Sequence, residues 1–219
     1  MLVRDRMTLN PVTITPEVSV MDALRLMTDR KIRRLPVLDP QGRLVGIVSD
    51  RDLLLASPSP ATSLAIWEIH ELLAKLTVEK IMTREVLTVP EDTPLEEAAR
   101  LMVDRRIGGL PVMRGAALVG IISESDLFQA LLQLLGGRRP GVRITVATSG
   151  AKGTIAEITS AIYGAGGDIV GLGFSEVEGS AAGTWVNTFK VQGVAKDRLV
   201  EAMRPHVREI MDVRETLPA

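Results

Sequence analysis

Two segments of the chain place a serine three residues before an aspartate, at the end of a short apolar run. They are Ser49 with Asp52 after residues 44–48, and Ser123 with Asp126 after residues 118–122. A short, β-branched apolar run predicts a buried strand, and the Ser-x-x-Asp spacing is typical of a helix start. A strand that leads directly into a helix leaves free backbone N–H groups, which suit a phosphate group. The spacing therefore indicates an anion-binding site.

The same spacing also has a purely structural interpretation. In a capping box, the hydroxyl and the acidic side chain each satisfy a backbone N–H group at the start of the helix. Because helix caps are common, one copy alone would favour this interpretation. Two copies, each at the end of a longer repeat, favour a binding role, and one hydroxyl can both cap a helix and contact a ligand.

The two segments close two copies of one internal repeat. The matching pairs are Met7-Thr8 with Met82-Thr83, 12–17 with 86–91, 22–27 with 97–102, and 29–37 with 104–112. Each copy predicts the order strand, helix, strand, turn, strand, helix. A unit of this length buries too little apolar surface to be stable alone. We therefore expect the copies to pack on each other with approximate two-fold symmetry and equivalent clefts between them.

Helix starts can be assigned in both copies. Ser19 is expected to cap the first helix of the first copy. In the second copy, Thr93 is expected to cap the matching helix, with Pro94 at the first helical position and Glu96 completing a capping box.

Composition shifts divide the chain further. A Ser- and Pro-rich loop at 56–63 precedes an amphipathic helix at about 64–76, and a Gly- and Arg-rich stretch at 136–141 marks a boundary. Beyond that boundary the pattern predicts βαββαβ, a small sheet with helices on one face. The expected boundaries are 1–62 for the first repeat, 63–76 for a connecting helix, 77–136 for the second repeat and 141–217 for the last domain.

Composition also excludes several classes of protein. The 219 residues carry a net charge of −1 and only 3% aromatic residues, which argues against nucleic-acid and membrane-surface binding. There is no cysteine, which rules out thiolate catalysis and fits a cytoplasmic location. No apolar run reaches a membrane-spanning length. His70 and His206 lie far apart in the sequence, so we expect neither a metal site nor a catalytic constellation.

Each repeat resembles a cystathionine-β-synthase-type (CBS) domain. The residues that carry the resemblance are Met-Thr at the head, Leu-Pro-Val in the middle and Leu-Val-Gly-Ile followed by Ser-x-x-Asp-Leu at the end. The pair, from about residue 3 to residue 135, resembles a Bateman module. The resemblance implies a mixed α/β (α+β) fold in which a CBS pair precedes the last domain.

The last domain resembles an ACT domain, which implies a βαββαβ ferredoxin-like fold. Residues 141–147 match its first strand, and 165–169 lie where the family has a Gly-Asn-Ile-like turn. The first loop departs from the family because Lys152-Gly153 stands where Pro-Gly is common. The resemblance implies an amino-acid site at Gly153, Thr154 and Asp168, or a domain that only dimerises. The order CBS–CBS–ACT resembles the acetoin-utilisation protein B type, a bacterial regulatory protein.

In Bateman modules, the closing aspartate holds the ribose hydroxyls of an adenosine ligand, the serine contacts ribose or phosphate, and the early strand contacts adenine. The resemblance thus implies that the nucleotide-binding residues are Thr13, Thr15, Arg34, Pro36, Ser49, Arg51, Asp52, Thr88, Pro111, Ser123 and Asp126. A carboxylate that accepts two hydrogen bonds from a diol, and arginine that neutralises phosphate, fit this assignment.

The two copies differ in charge near these residues. The first has Arg33, Arg34 and Arg51, where the second has Gly108, Gly109 and Ser125. We therefore expect unequal clefts, of which the first favours ligands with more phosphates. The alternative for Arg33 and Arg34 is a solvated basic turn.

The resemblance implies a non-catalytic, homodimeric regulatory protein that senses AMP, ADP or ATP without a metal and acts on a regulated enzyme, in a process such as acetoin utilisation. Nucleotide binding would shift the balance between two arrangements of the pair. The alternatives are a ligand-free interaction scaffold and an enzyme of acetoin catabolism.

Overall fold

The computed structural model describes residues 1–56, 75–176 and 184–216. Contacts divide the chain into two compact units, Met1–Leu127 and Phe128–Ala219. The predicted connecting helix at 63–76 lies almost entirely outside the described residues. Among the described helices, none combines the length and the apolar composition that crossing a membrane requires.

Two similar sets of helices and strands make up the first unit. The first set is β1 (Thr8–Leu9), α1 (Val20–Arg30), β2 (Arg34–Leu38), β3 (Leu44–Ser49) and α2 (Asp50–Ala56). The second set is β4 (Val89–Pro90), α3 (Leu95–Arg105), β5 (Gly109–Arg114), β6 (Ala117–Ser123) and α4 (Glu124–Leu134), whose last turns belong to the second unit. The second copy has the strand–helix–strand–strand–helix order that the sequence predicts. In the first copy the early strand expected at 12–15 forms only an isolated parallel bridge between Ile14 and Val37, and β1 corresponds instead to the Met-Thr head of the repeat.

The helix starts agree with the sequence in one copy and differ in the other. The Ser19 hydroxyl accepts a hydrogen bond of 3.1 Å from the backbone N–H of Asp22, as predicted. The cap predicted at Thr93 is wrong, because α3 has Pro94 at its N-cap without a side-chain cap. The backbone carbonyl of Pro94 accepts from Ala98 at 3.1 Å, so it already serves as the first acceptor of the helix.

The head of each repeat joins the sheet of the other repeat. β1 pairs antiparallel with β6, in a four-stranded sheet of order β1-β6-β5-β4. In the two-stranded sheet β2-β3, Ile47 exchanges backbone hydrogen bonds of 3.0 and 2.9 Å with Thr83. At each crossing the methionine of one head packs against a glycine of the other repeat. A β-carbon on Gly120 would lie 2.5 Å from Met7 Sδ, and one on Gly46 would overlap Met82. The Met-Thr and Val-Gly-Ile motifs therefore meet across the repeats.

The second unit contains a four-stranded antiparallel sheet of order β10-β7-β9-β8. Its elements are β7 (Gly141–Thr148), α5 (Thr154–Gly164), β8 (Asp168–Glu176), β9 (Trp185–Gln192), α6 (Lys196–Met203) and β10 (Glu209–Thr216). The order βαββαβ is as the sequence pattern predicts. Ile144, Ile158, Phe189 and Leu199 are fully buried between the sheet and the two helices.

Candidate functional site

The first Ser-x-x-Asp segment forms a closed pair of side chains at the start of α2. One carboxylate oxygen of Asp52, Oδ2, accepts from the backbone N–H of Ser49 at 2.8 Å and from its hydroxyl at 2.7 Å. The Ser49 hydroxyl in turn accepts from the backbone N–H of Asp52 at 3.3 Å. The capping interpretation is therefore correct for this copy.

The second copy repeats the arrangement at the start of α4. Asp126 Oδ2 accepts from the Ser123 backbone N–H at 2.8 Å and from the Ser123 hydroxyl at 2.6 Å. In both copies the capping interactions use Oδ2, and no donor of the described residues is bonded to Oδ1. Each aspartate thus has a second oxygen that can accept a hydrogen bond from a ligand.

Each closing pair lines a cavity of the first unit, and the head of the other repeat lines the same cavity. The Asp52 cleft, of about 630 Å³, combines Ser49, Arg51 and Asp52 with residues 83, 85–87, 106–109 and Pro111. The Asp126 cleft, of about 350 Å³, combines Ser123 and Asp126 with residues 8, 10–12 and 31–34. Both volumes are in the range of small-molecule sites.

The clefts gather some of the sequence-predicted residues and not others. Arg34, Ser49, Arg51, Asp52 and Pro111 meet in the Asp52 cleft, and Arg34, Ser123 and Asp126 meet in the Asp126 cleft. Four residues line neither cavity, namely Thr13, Thr15, Pro36 and Thr88. Residues just before Thr13 and Thr88, namely 8, 10–12, 83 and 85–87, contribute to the wall instead, because the head of each repeat crosses to the other sheet.

Arg33 and Arg34 line both clefts, so the sequence interpretation that assigned them to one cleft is wrong. Glu124, which the sequence patterns did not single out, lines both clefts as well. It directly follows Ser123, and its backbone N–H donates to the Gly108 carbonyl at 3.1 Å. Its place inside the repeated closing segment was a signal that could have found it.

Arg34 is half-buried and lies against the second repeat. A β-carbon on Gly108 would overlap its guanidinium, and one on Gly109 would lie 3.2 Å from its Cδ. Burial lowers the pKa of Arg34, and the nearby carboxylates of Glu124, Asp50 and Asp52 oppose that shift. A guanidinium remains charged under such conditions, so Arg34 is a cation in the wall between the two clefts.

The residues predicted to bind a ligand in the second unit lie at the start of α5 and of β8. Gly153 has φ +90° and precedes α5, and the Thr154 hydroxyl donates to the Ala151 carbonyl at 2.9 Å. Asp168 is exposed at the first position of β8. The described residues contain no group of three or more His, Asp or Glu side chains that could hold a metal ion.

Comparison with known proteins matches the same two repeats. Residues 3–59 and 78–133, together more than half of the chain, match the CBS domain family. A CBS domain-containing protein of Dictyostelium discoideum is 36% identical over 135 residues, which cover 61% of this chain and 93% of that protein. The L-aspartate semialdehyde sulfurtransferase of Methanocaldococcus jannaschii is 33% identical over 141 residues, which cover 63% of this chain but only 24% of the enzyme.

Three solved structures are similar to the first part of the chain. The CBS pair of protein MJ0100, in complex with 5′-methylthioadenosine and S-adenosyl-L-methionine, has a TM-score of 0.51 and 31% identity over 64% of this chain and 98% of that one. CBSX2 in complex with AMP has a TM-score of 0.50 and 36% identity, covering 60% and 96%. A Vibrio cholerae protein provisionally assigned to acetoin utilization (AcuB) has a TM-score of 0.52 and 34% identity, covering 61% and 92%.

The family match covers both closing segments and both heads of the repeat. It therefore includes every residue range that lines the two clefts. This chain belongs to the CBS-domain family, whose model matches it twice, as a tandem pair of CBS domains.

Proposed function

We propose that this protein is a non-catalytic regulator that binds adenine nucleotides in the Asp52 and Asp126 clefts. The most direct support comes from Asp52 and Asp126. In each, one carboxylate oxygen accepts the capping hydrogen bonds and the other can accept from a ligand, and each side chain lines a cavity of ligand size. A carboxylate oxygen without a donor suits the hydroxyls of a ribose. The AMP, 5′-methylthioadenosine and S-adenosyl-L-methionine complexes of similar CBS pairs support an adenosine ligand.

The phosphate end of the ligand would meet cations in either cleft. Arg33 and Arg34 line both, Arg51 and Arg106 add to the Asp52 cleft, and Lys31 adds to the Asp126 cleft. Arginine forks suit phosphate oxygens. AMP, ADP or ATP is therefore the ligand class, and no metal is required. Free nucleotides of this kind fit a cytoplasmic protein.

The proposal is tested by calorimetric titration of the full chain with AMP, ADP and ATP. The Asp52→Ala/Asp126→Ala double variant should lose the binding heat. The matched control is Asp29→Ala/Asp104→Ala, which removes two exposed aspartates that lie at equivalent helix ends and line neither cleft. Heat in the wild type and the control, but not in the double variant, is the expected result.

No heat with any of the three nucleotides, or undiminished heat in the double variant, would contradict the proposal. A ligand-free scaffold would then be the better interpretation, with Ser49 and Ser123 acting only as caps. An enzymatic role draws support from the similarity to the sulfurtransferase, but the match covers only a quarter of that enzyme. Among the described residues, no metal-binding cluster adds support to it.

We further propose that the second unit is an ACT-type domain that dimerises the protein or binds an amino acid. The βαββαβ order and the antiparallel sheet support the assignment. Gly153, Thr154 and Asp168 are the proposed ligand residues. Sedimentation velocity should give a homodimer of about twice the 23.7 kDa chain mass, and a monomer at micromolar concentration would contradict it.

The similarity to the Vibrio cholerae protein supports a role in acetoin utilization, with a regulated enzyme as the partner. Deletion of the gene in its native host should then slow growth on acetoin as the carbon source. Unchanged growth would contradict this part of the proposal and leave nucleotide binding unaffected.

A further inference from the structure

The wall between the two clefts is built from four residues that line both cavities. They are Arg33, Arg34, Gly108 and Glu124. Arg33 is exposed, whereas Arg34 is half-buried and lies across the Gly108-Gly109 pair. Those glycines occupy the positions that match Arg33 and Arg34 in the second repeat. One repeat therefore supplies the side chain, and the other supplies the space for it.

Carboxylates from both closing segments act on Arg34. Glu124 belongs to the segment that closes the second repeat, and Asp50 and Asp52 belong to the segment that closes the first. Their negative charges oppose the effect of burial on the pKa of Arg34, whereas the positive charge of Arg33 adds to that effect. A guanidinium fork binds one phosphate group well only in one orientation at a time.

We infer that Arg34 is a single cation for which phosphates in the two clefts compete, so that an anionic adenylate in one cleft weakens binding of a second in the other. This inference rests on the proposed nucleotide binding. An uncharged adenosine ligand makes no demand on the guanidinium, so two such ligands bind independently. The clefts therefore favour one phosphorylated and one uncharged adenosine ligand over two phosphorylated ones.

The coupling follows because Arg34 is the half-buried cation in the wall between the clefts, whereas Arg33 is exposed. When a phosphate draws Arg34 towards the Asp126 cleft, Asp50 and Asp52 lose its compensation. The Asp52 cleft then presents more negative potential to an incoming phosphate, and the same applies in reverse. By linkage, the penalty is equal whichever cleft is filled first.

The experiment compares AMP with adenosine by calorimetric titration of the full chain. Asp126→Ala and Asp52→Ala isolate one cleft each and give the two single-cleft dissociation constants. For AMP, the product of the two stepwise constants of the wild type should exceed the product of the single-cleft constants by roughly 10-fold, an ordinary allosteric coupling. For adenosine, the two products should agree.

Two variants separate a shared cation from simple repulsion between two bound phosphates. Arg34→Gln should abolish the AMP coupling, whereas repulsion would persist or grow after the cation is lost. Gly108→Ala keeps the charge but displaces the guanidinium, and its β-carbon meets only the flexible ends of Arg34 and Glu124. It should change the ratio of the two single-cleft AMP constants. Arg30→Gln, an exposed arginine that lines neither cleft, is the matched control and should keep the coupling.

The outcomes distinguish this inference from the proposed function. Binding of adenosine and AMP with agreeing products in the wild type would overturn the inference and leave nucleotide binding intact. Coupling that survives Arg34→Gln would also overturn it, in favour of repulsion. Absence of binding for both ligands would overturn the proposed function and the inference together.

Discussion

The Asp52 and Asp126 clefts have the same construction but different linings. The Asp52 cleft is larger, at about 630 against 350 Å³, and is lined by four arginines and four carboxylates. The Asp126 cleft is lined by three cations and two carboxylates. The residues that agree between the repeats, the closing pair and the head, build both clefts. The residues that differ, such as Arg51 against Ser125, can distinguish their ligands.

The largest expected effect separates the two clefts. Asp52→Ala should weaken nucleotide binding only in the Asp52 cleft, and Asp126→Ala only in the Asp126 cleft. Loss of a charge-assisted hydrogen bond to a ribose hydroxyl corresponds to roughly 10- to 100-fold in affinity. Calorimetry should show one site lost in each variant and both retained in Asp104→Ala. Loss of both sites in either single variant, with folding intact by circular dichroism, would contradict independent ribose contacts.

Glycine substitutions test the crossing that builds the clefts. A β-carbon on Gly120 would lie 3.1 Å from the Thr8 backbone carbonyl as well as against Met7, whereas one on Gly46 meets only the flexible Met82 side chain. Gly120→Ala should therefore lower the free energy of unfolding by about 1–3 kcal/mol, as overpacking does, and Gly46→Ala by less. Urea denaturation measures both. An equal loss of unfolding free energy in the two variants would contradict the expectation that the backbone contact at Gly120 makes its substitution more costly.

The repeat, the closing strands and the helix starts could be predicted because they depend on local patterns, periodicity and turn chemistry. The crossing of Met7 and Met82 to the opposite repeat could not be predicted. Both repeats have a glycine at the matching strand position, so the sequence does not show which of the two glycines each methionine packs against. The contact of Arg34 with the second repeat could not be predicted either. The sequence showed arginines in one copy and glycines in the other, but not that they lie against each other. Thr93 was mistaken for a cap because its neighbour Pro94 supplies the first helical carbonyl.

Exchange of Arg51 for its counterpart tests the charge difference. Arg51 is exposed and lines only the Asp52 cleft. Arg51→Ser should weaken ATP binding there by roughly 3- to 10-fold, as expected for one solvent-accessible ion pair, and AMP binding by less. Arg30→Ser is the control, and competition titration in the Asp126→Ala background isolates the cleft. Equal affinities of the two clefts for ATP and AMP in the wild type would contradict the expectation that the Asp52 cleft favours more phosphates.

The smallest expected effect concerns Glu17 and Glu91, which occupy matching positions in the two repeats. A side-chain hydrogen bond from Arg114 lowers the pKa of Glu91, and one from Thr15 lowers the pKa of Glu17. A carboxyl whose pKa is lowered by folding stabilises the fold above its unfolded pKa, and that stability is lost as the pH falls through the folded value. The melting temperature should thus fall between about pH 5 and pH 3.

Glu91→Gln should flatten this fall more than Glu17→Gln, because Arg114 contributes charge as well as a hydrogen bond. Glu96→Gln, an exposed position on α3, is the control, and identical slopes in all three variants would show that the Arg114 pair adds nothing to stability.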